Sequence, residues 1–157
     1  MGYLFFDTSA LVKRYYEKRE TAVVDSLIER NDETVVITSL AVVETTSAMR
    51  RKYNADTLSE EELPLLVANF YHEALGNFLV VPLDDVTLEH TLDLVLEGDL
   101  RTLDSLQLSA ALSFAGAVDE LQFVCSDREL ATTASALDSE AVHKSAATDN
   151  TKSMKKV

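Results

Sequence analysis

Apolar positions along the chain fall into short dense blocks separated by longer amphipathic stretches. The dense blocks are Tyr3-Leu4-Phe5-Phe6, Thr34-Val35-Val36-Ile37-Thr38, Phe78-Leu79-Val80-Val81-Pro82-Leu83 and Gln122-Phe123-Val124-Cys125. Short near-continuous runs of aromatic and β-branched residues predict strands buried on both faces. The stretches between them carry helix signals. Asp7-Thr8-Ser9 offers cap oxygens to a helix over 10–16, and Val23, Val24, Leu27 and Ile28 share one face of a helix over 20–30. Ser39 is placed to cap a helix from Leu40 to about Tyr53. Ser59 and Glu62 have capping-box spacing before a helix ending near Gly76. Asp84-Asp85 opens a helix to Glu97, and a further helix runs from Thr102 or Leu103 to Ala115, ending near Gly116. Ser126-Asp127 caps a last helix over 129–137.

The predicted order is β-α-α-β-α-α-β-α-α-β-α. Strands separated by helices imply a parallel sheet covered on both sides. The fold class is therefore α/β, a three-layer α/β/α sandwich around a central parallel sheet of four or five strands. Residues 1–143 read as one domain, with a short edge strand at Ala141-Val142-His143. Residues 144–157 are poor in large apolar side chains and read as a flexible C-terminal tail.

Composition narrows the classes. The 157 residues are 46% apolar and 26% charged, with one cysteine, Cys125. A core of this size needs no disulfide, and a reducing compartment is expected, so the cytoplasm is the expected location. No apolar run approaches the ~20 residues that span a bilayer. Acids outnumber bases 27 to 14, for a net charge of −13, which argues against nonspecific nucleic-acid binding. His72, His90 and His143 lack metal-ligand spacing, and no Gly-rich phosphate loop or Ser-His-Asp signature is present.

Most acids read as solvated surface. Four do not. Asp7 and Asp127 follow the first and fourth strands, whose C-terminal ends share one rim of a parallel sheet, where ligands bind. Glu44 interrupts the apolar start of the helix after the second strand, and Asp104 lies in the first turn of a later helix. Each has an ordinary alternative. Asp7 and Asp127 serve equally as N-caps, Asp104 as a dipole-compensating acid and Glu44 as an exposed residue. Carboxylates gathered in a partly dry site need a positive partner. A divalent cation with oxygen ligands, Mg²⁺ or Mn²⁺, supplies one.

Four stretches carry a family resemblance: Phe6-Asp7-Thr8-Ser9-Ala10-Leu11-Val12-Lys13-Arg14-Tyr15, Ser39-Leu40-Ala41-Val42-Val43-Glu44, Leu100-Arg101-Thr102-Leu103-Asp104-Ser105-Leu106-Gln107-Leu108-Ser109-Ala110-Ala111, and Phe123-Val124-Cys125-Ser126-Asp127-Arg128-Glu129-Leu130. In order and spacing the chain resembles PIN-domain ribonucleases of the VapC-like toxin type, from VapBC toxin–antitoxin pairs. The likeness runs over about residues 3–137. It puts the family's acidic metal-site and catalytic positions on Asp7, Glu44, Asp104 and Asp127, with the supporting hydroxyls on Ser9 and Ser126. The family's alanine-rich helix reads Ser105-Leu106-Gln107-Leu108-Ser109 here, a mild departure.

The resemblance implies Mg²⁺- or Mn²⁺-dependent cleavage of RNA phosphodiesters. It also implies a small antitoxin partner and pairing as a homodimer, for which the helices from Leu11 to Ile28 offer an apolar face. Phosphate-contact candidates are Lys13, Arg14, Arg50, Arg51, Lys52, Arg101 and Arg128, of which Arg101 and Arg128 flank Asp104 and Asp127. Tyr15, Tyr16, Phe70 and Tyr71 are candidates for base stacking or for helix packing. The rival class is a PIN-fold binding or assembly module without catalysis; a PIN nuclease of RNA processing with no toxin role is a third reading. A dehalogenase-type phosphotransferase would need a second acid where Ser9 stands, and a receiver domain would need a late lysine that is missing.

Overall fold

The computed structural model describes residues 2–16, 21–30, 32–145 and 154–156. In chain order the elements are β1 (Gly2–Phe6), α1 (Thr8–Leu11), α2 (Lys13–Tyr16), α3 (Thr21–Ile28), β2 (Glu33–Thr38), α4 (Ser39–Asn54) and α5 (Glu62–Asn77). They continue with β3 (Leu79–Val81), α6 (Asp85–Glu97), α7 (Thr102–Ala115), β4 (Leu121–Val124), α8 (Arg128–Ser145) and β5 (Met154–Lys156). The strands pair side by side in the order β3-β2-β1-β4-β5, and all are parallel.

Alternation along the strands builds two cores. Leu4, Phe6, Val35 and Ile37 face one side, with Ala10, Leu11, Val24, Leu27, Ala41, Met49, Phe70 and Ala74 from α1, α3, α4 and α5. Phe5, Val36, Leu121 and Phe123 face the other, with Leu108, Ala111, Leu130 and Ala134 from α7 and α8. Every β1 side chain from Leu4 to Phe6 is fully buried, which is why β1 reads as an unbroken apolar run. The three-layer α/β/α architecture is thus the observed one.

Chain order around β1 fixes where a ligand could enter. From β1 the chain passes outward to β2 and β3, then returns to the other side of β1 as β4. The β1/β4 boundary is the switch point, outside whose carboxyl ends a crevice forms in open α/β sheets. The register Phe6↔Val124 holds to the last residue of both strands, and the Asp7 amide donates to the Val124 carbonyl at 2.9 Å.

Several local expectations change. Thr38, not Ser39, caps α4: its backbone is extended (φ −83, ψ 157) and its hydroxyl accepts from the Ala41 amide. The capping box at Ser59 and Glu62 forms reciprocally, at 2.8 and 3.1 Å. Ala141, Val142 and His143 are not an edge strand; they continue α8 to Ser145. The edge position beside β4 goes instead to Met154–Lys156. The remainder of the 144–157 segment lies outside the described residues, apart from Lys144 and Ser145 at the end of α8. Among the described residues the apolar face from Leu11 to Ile28 is core: Leu11, Val24 and Leu27 are buried, and Val23 is exposed. By contrast α6 turns Thr87 and Thr91 inward and leaves Leu88, Leu92, Val95 and Leu96 in solvent.

Candidate functional site

Asp7 is where β1 stops and α1 starts. Its extended backbone (φ −72, ψ 152) ends the strand, and its Oδ2 accepts from the Ser9 amide at 2.9 Å. The side chain is only 3% exposed. Burial pushes its carboxyl above the ordinary range; the negative charges of Asp104 and Glu44 add to this, while Ser9 hydrogen bonding pulls it back. The Ser9 hydroxyl accepts from the Ser126 amide at 3.0 Å and so ties the start of α1 to the β4–α8 turn. Ser126 contributes its backbone to this contact, and its residue is exposed.

Asp127 repeats the arrangement one strand over. Its Oδ1 accepts from the Glu129 and Leu130 amides at 2.9 and 3.0 Å, capping α8. Asp104 stands in the first turn of α7. Burial raises its carboxyl pKa, and the charges of Asp127, Glu44 and Glu129 raise it further, against Arg101. Asp7 therefore senses Asp104 and Glu44, and Asp104 senses Asp127 and Glu44. These couplings make the acids neighbours along the carboxyl rim of the sheet. Capping does not exhaust them. Among the described residues Asp127 Oδ2 and both oxygens of Asp104 accept no hydrogen bond, and Asp7 accepts from Ser9 alone.

Glu44 is held by residues that no motif singles out. Its Oε2 accepts from the Thr8 hydroxyl and from the Gln107 amide nitrogen, both at 2.8 Å. Gln107 is 1% exposed, three residues after Asp104 on α7. The available sequence signal is a long polar side chain on the inward stripe of a helix, between Asp104 and Leu108.

The basic candidates divide. Arg101 and Arg128 are exposed beside the acids, and neither forms a salt bridge among the described residues. Arg14 is committed elsewhere. Its Nη1 donates to Asp25 at 2.6 Å and its Nε to Glu73 at 2.8 Å. Tyr15 donates its hydroxyl to Glu73 at 2.6 Å and packs edge-on against Phe70, so it is a packing residue. Arg50 stacks over Tyr53, and Arg51 donates to Ser47 at 2.9 Å. Cys125 is half-buried, and its thiol donates to the Asp127 carbonyl at 3.6 Å.

The donor set is all oxygen, which fits a hard dication such as Mg²⁺ or Mn²⁺. Among the described residues no three His, Cys, Asp or Glu side chains form a ready-made ligand cluster. That is compatible with Mg²⁺, which keeps several waters and takes only one or two carboxylates directly. Carboxyl pKa values that stay raised at Asp7 and Asp104, even with Arg101 beside Asp104, are what an anionic site shows when charge is still to be balanced.

Three comparisons with known proteins bear on this arrangement. The PIN domain family model matches residues 4–135. Among solved structures, a chain of VapBC2 from Rickettsia felis, solved bound to a promoter DNA fragment, superposes with a TM-score of 0.56 at 12% identity, covering 80% of this chain and 87% of that one. VapBC-5 from Mycobacterium tuberculosis, of the VapBC family of toxin–antitoxin systems, gives a TM-score of 0.51 at 17% identity, covering 100% of this chain and 98% of that one. At these identities the likeness is one of fold. No curated protein sequence matches significantly.

Proposed function

The chain belongs to the PIN domain family, and on that premise we propose that it is a metal-dependent endoribonuclease acting as the toxin of a toxin–antitoxin pair. The observation that carries the proposal is Asp7. It is a nearly inaccessible carboxylate at the β1/β4 switch point, charge-coupled to Glu44 and Asp104, with Ser9 as its one hydrogen-bond partner among the described residues. Such a residue is unfavourable for folding alone and is explained by a cation that completes it.

Asp7 and Asp104 are the proposed direct ligands. Glu44 ligates through its bare Oε1 or through a water, and Asp127 orients the attacking water or holds a second ion. When bound, Mg²⁺ or Mn²⁺ lowers the pKa of a nearby water and neutralises charge developing on the phosphoryl oxygens. The protein's own residues do the remainder. Ser9 and the turn at Ser126 fix the spacing of the two strand-end acids. Arg101 and Arg128 lie exposed on the rim to receive flanking phosphates, which is the local positive field that a chain at −13 requires to hold RNA.

The partner assignment follows the toxin–antitoxin neighbours. An antitoxin Arg or Lys inserted among the acids would satisfy them by charge-assisted hydrogen bonds. A homodimer belongs to the same proposal. The exposed α6 leucines supply the apolar surface that the buried Leu11–Leu27 face does not. Among the described residues no helix is long and apolar enough to cross a membrane, and action in the cytoplasm is part of the proposal.

A PIN-fold binding module is the competing reading, and the lack of a ready-made ligand cluster among the described residues is what favours it. An RNA panel incubated with wild type, Asp7→Asn and Asp104→Asn in Mg²⁺ or EDTA separates the two. Cleavage by wild type in Mg²⁺ alone is the expected result. Equal cleavage by all three proteins would trace the activity to a contaminant and remove the enzyme claim.

A further inference from the structure

Hydrogen bonds around Glu44 run in one direction. The Ala41 amide donates to the Thr38 hydroxyl at 2.9 Å. That hydroxyl donates to Gln107 Oε1 at 2.9 Å. The Gln107 amide nitrogen then donates to Thr8 Oγ1 at 3.0 Å and to Glu44 Oε2 at 2.8 Å. Thr8 Oγ1, in turn, donates to the same Glu44 Oε2 at 2.8 Å. Four elements contribute: the end of β2, the body of α7, the start of α1 and α4 itself.

Burial makes the arrangement binding. Thr38 is 0% and Gln107 1% exposed, so neither can exchange its partner for bulk water. The Gln107 amide nitrogen lies within hydrogen-bond distance of two acceptors, and its carbonyl oxygen takes one donor. Turning the amide over would set its oxygen against the Glu44 carboxylate, lone pair against lone pair. The result at Glu44 is asymmetric. Oε2 takes two donors, while Oε1 takes none among the described residues.

We propose that Gln107, acting with Thr8, is a positioning residue of the acidic site: it locks Glu44 by one oxygen so that the other is presented, single and aimed, to the metal or its water shell. This rests on the metal-dependent reading above. The side chain touches neither substrate nor metal; it acts through Glu44. Groups in this role are known to change metal affinity or activity by about 10–100-fold when removed.

The test uses the full chain and two readouts. In metal-free protein the side-chain amide signals of Gln107, followed by ¹⁵N NMR, should shift when Glu44 is replaced by alanine. Mn²⁺ titration calorimetry should show Gln107→Leu binding about 10-fold more weakly than wild type, with no further loss when Gln107→Leu is added to Glu44→Ala. Thr8→Val should weaken binding in the same sense and Thr8→Ser should restore it, which covers the case in which Gln107→Leu does not fold. Equal Mn²⁺ affinity of wild type, Gln107→Leu and Thr8→Val, or additive losses on the Glu44→Ala background, would overturn the positioning role alone. Gln107 signals indifferent to Glu44→Ala would overturn it too. Absence of Mn²⁺ binding by wild type would instead overturn the metal-dependent reading and this role with it.

Discussion

Replacing Asp7 by asparagine removes a charge and leaves a cap. Asparagine has nearly the same shape and caps helices as well as aspartate does, so the bond from the Ser9 amide survives. What is lost is an ionised group on a residue 3% exposed, beside Asp104 and Glu44. Burial first, and those charges after it, raise the folded pKa of Asp7 above its ordinary value of 3.8. An acid shifted this way destabilises the fold when ionised. The penalty is complete above the folded pKa, shrinks as pH falls through it, and is gone below 3.8. Each pKa unit is worth about 1.4 kcal/mol. Substitutions that relieve a conflict of this kind stabilise by roughly 0.5–2 kcal/mol. In a chain of about this length, 1 kcal/mol moves the melting temperature by about 2–4 °C. Metal-free D7N should therefore melt roughly 1–8 °C above wild type at pH 7, with the gap closing toward pH 4. Saturating Mn²⁺ should reverse the order. A ligand at 100 times its Kd adds about 2.7 kcal/mol to the protein that binds it and little to the variant lacking Asp7. Scanning calorimetry in EDTA and in MnCl₂ decides the matter. Wild type melting above D7N in EDTA, or equal stabilisation of both proteins by Mn²⁺, would refute the reasoning.

The remaining predictions concern other parts of the molecule. Arg14→Ala leaves Glu73 half-buried without its guanidinium partner and should cost about 2 kcal/mol in urea melts, between the values for exposed and buried pairs, with Mn²⁺ binding unchanged. At Glu73 burial alone would raise the carboxyl pKa, but hydrogen bonds from Arg14 and Tyr15 outweigh it and lower the pKa below 4.5. Its stabilisation is thus present above 4.5 and lost as pH falls through the folded value, so E73Q should lose less stability than wild type on acid titration. Charged substitutions at Leu92 and Leu96, 62% and 83% exposed, should halve the mass seen by light scattering if α6 is the homodimer face, while leaving the monomer's stability within about 0.5 kcal/mol; an unchanged mass would remove α6 from the interface.

Much of this architecture is written locally. Phe5 and Phe6 must both be buried, and only a strand covered on two faces does that, so β1 and the layered fold follow from adjacent residues. Asp7 after that run is legible as a strand end, and the structure shows its capping role directly: its Oδ2 accepts from the Ser9 amide. Thr38 and Ser39 are both competent caps, and the extended backbone carried over from β2 selects Thr38. Residues 141–143, read as a short edge strand, lie on the same helix as Leu130 and Ala134, which pack into the second core. The β5 segment Met154–Lys156 carries two lysines and no strand signal, because its pairing with β4 is supplied by backbone. Arg14 beside Asp7 suggests a phosphate contact, and only the tertiary approach of α3 and α5 shows that Asp25 and Glu73 claim it. Gln107 is the same case inside the site: its partners are 63, 69 and 99 residues away in sequence.

Everything claimed for the site requires the strand-end and helix acids to accept one cation. Anomalous diffraction from crystals soaked in Mn²⁺ measures that directly. The account predicts a peak among the carboxylates of Asp7, Glu44 and Asp104, lost in D7N. A well-ordered rim with no peak, or a peak bound only by acids elsewhere on this −13 surface, would contradict it.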